Sequence, residues 1–196
     1  YITDSRYELE ATQGLKNKGV CVVRFEDSII EKVFALARQC RVKVLGLDER
    51  CLTAAHYRRM LALLPAGMKL KAVDGVVDDL RMVKEPGEIL AIREAIKINL
   101  ELFRFLKKKI KPGVTERDIL ADLENFVKKH GVGFSFDPIV ASGPNSAMPH
   151  ARVTERKLRQ NEPVLVDCGI EKNGYKSDLT RMFFLGRMPA SFGDVL

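Results

Sequence analysis

The chain has 196 residues, 46% of them hydrophobic and 30% charged, with a formal net charge of +7. That length suits one domain or two small ones, and the balance is that of an ordinary globular protein. No apolar run approaches the roughly 18 residues that span a membrane, and no basic-then-apolar signal segment opens the chain, so no membrane partner is expected.

The opening residues YITDSRYELEA (1–11) have the pattern of a strand and turn entered midway, and the sequence is expected to lack its true start. Residues 20–25 are a short apolar run that predicts a buried strand. Residues 29–40 have helical spacing, with Ile30, Val33, Phe34 and Ala37 on one face. Residues 42–47 predict a second strand, residues 52–64 a helix that ends before Pro65, and residues 69–73 a third strand. This strand–helix alternation argues for an α/β layer domain over residues 1–82.

The character changes at residues 83–87. Pro86 fits the first turn of a new helix, where its missing N–H costs nothing. Ile89, Ile92, Ile96, Leu100, Phe103 and Leu106 recur at helical spacing and are the expected core face. Pro112 and Gly113 end that helix. Thr115 then predicts an N-cap, with Asp118 at N3. Ile119, Leu123, Phe126 and Val127 form the next apolar stripe, and Gly131 is placed to close it. Strands are predicted at 133–141, 164–167 and 175–185, with a Ser/Gly/Pro/Asn loop at 142–149. A second domain is expected over residues 83–196.

Lys107, Lys108, Lys109 and Lys111 make one dense basic run. It falls at a predicted helix end, where cations complement the helix dipole. No aromatic residues interleave with it as a stacking platform requires, so no nucleic-acid partner is expected. The four cysteines Cys21, Cys40, Cys51 and Cys168 form no CxxC pair. They are expected to be buried or partly buried free thiols of a cytoplasmic protein.

The residues with chemistry lie near the end. Asn173-Gly174 is a strong hairpin signal. With those two as the central turn residues, Lys172 faces Tyr175, Gly169 faces Asp178 and Asp167 faces Thr180. Asp167 and Asp178 then become diagonal neighbours on one sheet face, about 7–8 Å apart. Two carboxylates that close in an apolar hairpin need a counter-charge, and a divalent metal supplies one. The other reading of the same spacing is that Asp178 pairs with Arg181 or another cation at the surface while Asp167 caps a turn before Gly169. His150 follows Pro149 in the polar loop, where an imidazole could donate to a substrate carbonyl, or simply face water as a surface histidine. His56 and His130 have the settings of structural or exposed residues. No GxGxxG or GxxxxGK phosphate loop, GxSxG elbow or HExxH helix is present.

FSFDPIVASGPNSAMPHARVT (134–154), followed by VLVDCGIEKNGYKSDLTRMFFLG (164–186), closely resembles the creatinase, aminopeptidase P and prolidase superfamily. LRMVKEPGEILAIREA (80–95) resembles the entry to that family's catalytic domain, and residues 1–11 resemble part of its N-terminal domain. The resemblance implies a ribonuclease H-like N-terminal domain, here incomplete, followed by the first half of an α/β "pita-bread" catalytic domain. It implies that Asp167 and Asp178 are metal ligands, with Asp178 bridging two divalent ions, commonly manganese, with cobalt or zinc as alternatives. It implies that His150 is catalytic and steadies the tetrahedral intermediate. The implied reaction is hydrolysis of the peptide bond before proline by a metal-activated hydroxide. The implied partners are a peptide with proline second and a second copy of the chain in a homodimer. The family's remaining ligands, a His and two Glu from later strands, have no counterpart before Leu196. Residues 1–196 alone are therefore expected to be inactive. Ala151 stands where the family often has Gly, and Cys168 where it often has an aromatic. Some superfamily members keep the fold as a non-catalytic peptide- or protein-binding module, and that is the alternative reading.

Overall fold

The computed structural model describes residues 1–187. The chain divides into two compact units, one formed by Tyr1–Val83 and one beginning at Lys84. The last stretch of the second predicted domain, residues 188–196, lies outside the described residues.

The first unit follows the order β1 (Ile2–Thr3), α1 (Glu8–Gly14), β2 (Val23–Arg24), α2 (Ile29–Gln39), β3 (Val44–Asp48), α3 (Ala54–Ala62), β4 (Lys69–Val73) and α4 (Val76–Met82). Strands β1 and β2 pair in parallel, as do β3 and β4. The Ser28 hydroxyl accepts from the Glu31 N–H at the start of α2, and the Thr53 hydroxyl accepts from the His56 N–H at the start of α3. Both satisfy an N–H that a helix start leaves without a partner. Phe34 and Ala37 of α2 close over Met60 and Met68, and Ile30, Leu45, Leu47 and Leu70 flank them. The 20–25 strand, expected to be buried, is reduced to two residues, a half-buried Val23 and an exposed Arg24. Of the four thiols expected to be buried or partly so, Cys21, Cys40 and Cys51 are exposed and Cys168 is buried, because the segments that carry the first three lie at the surface of their unit. Helices α1 and α4 were not expected from the apolar spacing, because neither buries a residue.

The second unit opens with α5 (Pro86–Leu106) and α6 (Glu116–Lys129). Glu88 accepts from the Glu85 N–H at 2.7 Å at the start of α5. Thr115 and Asp118 form the expected reciprocal cap of α6. The strands are β5 (Gly133–Phe134), β6 (Ile139–Ser142), β7 (Pro163–Cys168), β8 (Ile170–Lys172), β9 (Tyr175–Lys176) and β10 (Leu179–Phe184), with a 3-10 helix at Gly143–Ala147. They form two three-stranded sheets, ordered β10-β7-β6 and β5-β8-β9. Helix α5 packs on β8 and β9, and α6 packs on β6 and β5. Leu102, Leu106, Ile119, Leu123, Val164 and Val166 are fully buried between these layers. Truncating one such leucine to alanine costs about 2–5 kcal/mol.

The expected core face of α5 is half right. Phe103 and Leu106 are buried, but Ile89, Ile96 and Leu100 are exposed, and Ala95, Asn99 and Leu102 take their place. The helix is rotated because the Asn99 amide reaches the sheet. It donates to the Cys168 carbonyl at 3.0 Å and to the Ser177 hydroxyl at 3.2 Å. Apolar periodicity cannot report a polar side chain that belongs to the core.

Candidate metal centre

Asp167 and Asp178 are placed by one long hairpin. Asn173 and Gly174 both have positive φ, 52° and 80°, as a tight two-residue hairpin turn requires. The register then runs Lys172 with Tyr175, Glu171 with Lys176, Cys168 with Leu179 and Asp167 with Thr180. Where Gly169 and Asp178 fall, the hairpin leaves one sheet and enters the other. A side chain at Gly169 would overlap the Ser177 carbonyl oxygen and lie 2.8 Å from the Ser135 side chain, so only glycine fits. The Ser135 hydroxyl donates to that same carbonyl at 2.8 Å. Ser177 is buried, and its hydroxyl accepts from the Ile170 N–H at 3.0 Å. The break is thus held by Ser135, Ser177 and Asn99, and Asp178 stands exposed just beyond it.

On the central strand β7, Asp167 lies between Ile139 of β6 and Thr180 of β10. The Thr180 hydroxyl donates to Asp167 Oδ1 at 2.7 Å. Asp178 makes no ion pair with Arg181, whose guanidinium instead donates to the Thr180 carbonyl at 2.9 Å. The surface ion-pair reading of Asp178 is therefore not the arrangement seen. Next to Asp167, the buried Cys168 thiol is pushed up to about 12 by its desolvation and then by the charges of Asp167 and Asp178. A thiol that stays protonated is neither a nucleophile nor a metal ligand.

His150 is exposed and lines a cleft of about 340 Å³ with Asp137, Pro138, Ile139, Ala151, Arg152 and Val153. Ile139, the cross-strand neighbour of Asp167, forms part of its wall. His56 is exposed on α3. His130 closes α6, with Nδ1 2.8 Å from the Phe126 carbonyl and its ring 3.9 Å from the Phe126 ring. Both have the structural settings expected of them.

Glu116 was missed by the sequence reading. It is the first residue of α6, is fully buried, and accepts from both sides of the loop that carries His150. The Ser142 N–H and hydroxyl each donate to Oε1 at 2.8 Å. The Thr154 N–H and hydroxyl donate to Oε2 at 3.0 and 2.7 Å. Burial by itself would raise the Glu116 carboxyl, but the hydrogen bonds from Thr154 and Ser142 outweigh it and hold the group below its usual range. The available signal was weak: a Glu directly after an N-cap, with a loop rich in hydroxyls and amides elsewhere in the chain.

Carboxylate oxygens from Asp167 and Asp178, one of them already oriented by a hydroxyl, are the donor chemistry that hard divalent ions favour. Among the described residues no third His, Cys, Asp or Glu joins them in a metal-holding group. The pair fits as part of a metal site and not as the whole of one. Among those residues, too, no helix is long and apolar enough to cross a membrane.

Comparison with known proteins bears on the family and the fold. Residues 1–83 match the Creatinase/Prolidase N-terminal domain. Across 188 residues the chain is 31% identical to the uncharacterized peptidase YqhT of Bacillus subtilis, covering 95% of this chain and 52% of that protein. Among solved structures it resembles a Xaa-Pro dipeptidase from Bacillus anthracis, with TM-score 0.91, 31% identity, and coverage of 99% of this chain and 54% of that one. It also resembles an X-Pro aminopeptidase from Thermotoga maritima, with TM-score 0.84, 31% identity and coverage of 99% and 53%. The chain thus spans about half the length of these relatives, and its fold is a creatinase-type N-terminal domain followed by part of a pita-bread domain. Residues 90–194, which hold the aspartate hairpin and the His150 loop, match Metallopeptidase family M24, and the chain belongs to that family.

Proposed function

We propose that this chain is part of a metal-dependent exopeptidase that hydrolyses the peptide bond before proline. Residues 1–82 would form its N-terminal domain and residues 83–196 the first half of its catalytic domain. The observation that supports the reading is the hairpin register, which pairs Asp167 with Thr180, its hydrogen-bond donor, two residues along the chain from the exposed Asp178.

Asp167 and Asp178 would help to hold two divalent ions, with manganese favoured by the oxygen-rich donors and cobalt or zinc as alternatives. Bound there, such ions supply polarisation of the scissile carbonyl and a more acidic water. Thr180 fixes the rotamer of Asp167 through its hydroxyl. His150 donates a hydrogen bond to the carbonyl oxygen as negative charge develops on it, the step at which a placed donor contributes most. The cleft between His150 and Ile139 would receive a peptide with proline at its second position. A cytoplasmic homodimer is the assembly the family resemblance suggests.

The test is manganese-stimulated cleavage of a Xaa-Pro dipeptide by a form of the protein of the relatives' full length. Cleavage that Asp178→Ala abolishes is the expected result. Full activity in that variant would remove Asp178 from the site. No bound metal and no gain in thermal stability with added manganese would favour a non-catalytic peptide-binding module instead. Residues 1–196 alone are expected to turn over negligibly, because two carboxylates do not complete the coordination of two ions.

A further inference from the structure

We infer that Glu116 is a positioning residue for His150, its buried carboxylate clamping both ends of the loop that carries the imidazole. The inference rests on the peptidase reading of this site.

The loop leaves β6 at Ser142 and comes back to the body of the unit at Thr154. Each of these residues gives Glu116 both its backbone N–H and its hydroxyl, one residue to each carboxylate oxygen. Asn145, within the loop, adds its side-chain amide to the same carboxylate at 3.1 and 3.4 Å. Between the two anchors the chain is cross-braced. Ser146 donates to the Gly143 carbonyl at 2.7 Å, and the Ala151 N–H donates to the Met148 carbonyl at 3.2 Å. Ala151, next to His150, is buried, while His150 itself projects outward.

Among the described residues no cationic side chain forms an ion pair with Glu116. The Arg156 guanidinium donates to the Ser142 hydroxyl at 2.9 Å and forms its ion pair with Glu162 at 2.7 Å, and only the Arg156 backbone carbonyl meets Glu116, accepting its N–H at 3.0 Å. The negative charge is held by hydroxyls, an amide, backbone N–H groups and the N-terminus of α6. A buried carboxylate is costly unless it is fully hydrogen-bonded, and apolar packing could stabilise a helix–sheet contact as well. What the ionised group adds is geometry. Several directional, charge-assisted bonds converge on two oxygen atoms and leave the loop one conformation.

The test is a double-mutant cycle between Glu116→Gln and His150→Ala in the full-length peptidase, with kcat and KM measured on a Xaa-Pro dipeptide. Loss of a donor to a developing oxyanion typically lowers kcat by about 10²–10³, and His150→Ala is expected to do so. Glu116→Gln is expected to lower kcat about 10-fold, with KM changed less, and the double variant to be no slower than His150→Ala alone. Fully additive losses would mean that Glu116 acts structurally and would overturn the inference. A second readout uses residues 1–196 without metal. The ring signals of His150 should broaden or split in Glu116→Gln while those of His56 and His130 stay in place, and unchanged His150 signals would also overturn it. If Glu116→Gln does not fold, Thr154→Val takes its place in both measurements, with Thr154→Ser expected to retain wild-type behaviour. Absence of Xaa-Pro cleavage by the unsubstituted full-length protein would sink the peptidase reading and this inference together. Cleavage with an additive cycle would sink the inference alone.

Discussion

The Thr180 hydroxyl donates to Oδ1 of its cross-strand partner Asp167 at 2.7 Å. The bond takes one lone pair of a carboxylate proposed to ligate metal and fixes the direction of the rest. Partners of this kind typically tune metal affinity by about 10–100-fold. Thr180→Val keeps the β-branched shape and removes only the hydroxyl. In the full-length form we expect apparent manganese affinity to fall at least about 10-fold in a metal titration. Unfolding free energy should stay within about 0.5 kcal/mol, because Thr180 is exposed.

Gly169 permits the hairpin to cross between two sheets. Gly169→Ala would drive a methyl group into the Ser177 carbonyl oxygen. Overpacking of this sort costs about 1–3 kcal/mol. Urea unfolding should show that loss, and the Ser177 N–H, which bonds the Ile170 carbonyl at 2.9 Å, should lose hydrogen-exchange protection.

Asn99 is almost wholly buried, and its amide joins α5 to Cys168 and Ser177. Asn99→Leu conserves volume but leaves the buried Cys168 carbonyl and the Ser177 hydroxyl each short of a donor. Leaving such groups unmatched costs about 1–3 kcal/mol apiece at most sites. The expected result is a lower urea midpoint without a change in the slope, since the surface exposed on unfolding is the same.

Glu116 should leave a pH signature. Its folded carboxyl lies below the ordinary value of 4.5, so the unfolded chain binds the proton more tightly. The stabilisation is present above the unfolded value and is lost as pH falls through the folded one. The groups facing Glu116 from the loop are neutral, and the Arg156–Glu162 pair nearby is common to wild type and Glu116→Gln. The stability difference between the two proteins should therefore be constant well above the ordinary value of 4.5 and shrink as the pH falls below it. A constant difference through that range would mean that the Glu116 carboxyl binds its proton equally tightly in the folded and unfolded chains.

How much of this was legible beforehand follows from the range of each interaction. The turn at Asn173-Gly174 and the Thr115–Asp118 cap are contacts between near neighbours in sequence, and both were readable. So was the pairing of Asp167 with Thr180, because a two-residue turn sets the register of everything beyond it. The expected single strands at 133–141 and 175–185 were each split in two, and both splits lie at the crossing between the sheets. Nothing local marks that crossing except Gly169, and the reason for that glycine is a carbonyl from the opposite strand.

By itself, then, the sequence determined the turn, the caps, the hairpin register and the family motif, because each depends on residue types a few positions apart or on backbone geometry that a turn propagates. Tertiary structure alone decided which face of α5 is buried, where the hairpin changes sheets, and what holds the His150 loop. Asn99 finds Cys168 and Ser177, and Glu116 finds Ser142 and Thr154, only once distant segments have packed. A buried polar side chain is tolerated only where its partners are supplied, and no pattern along α5 or α6 states what the sheet and loop will supply.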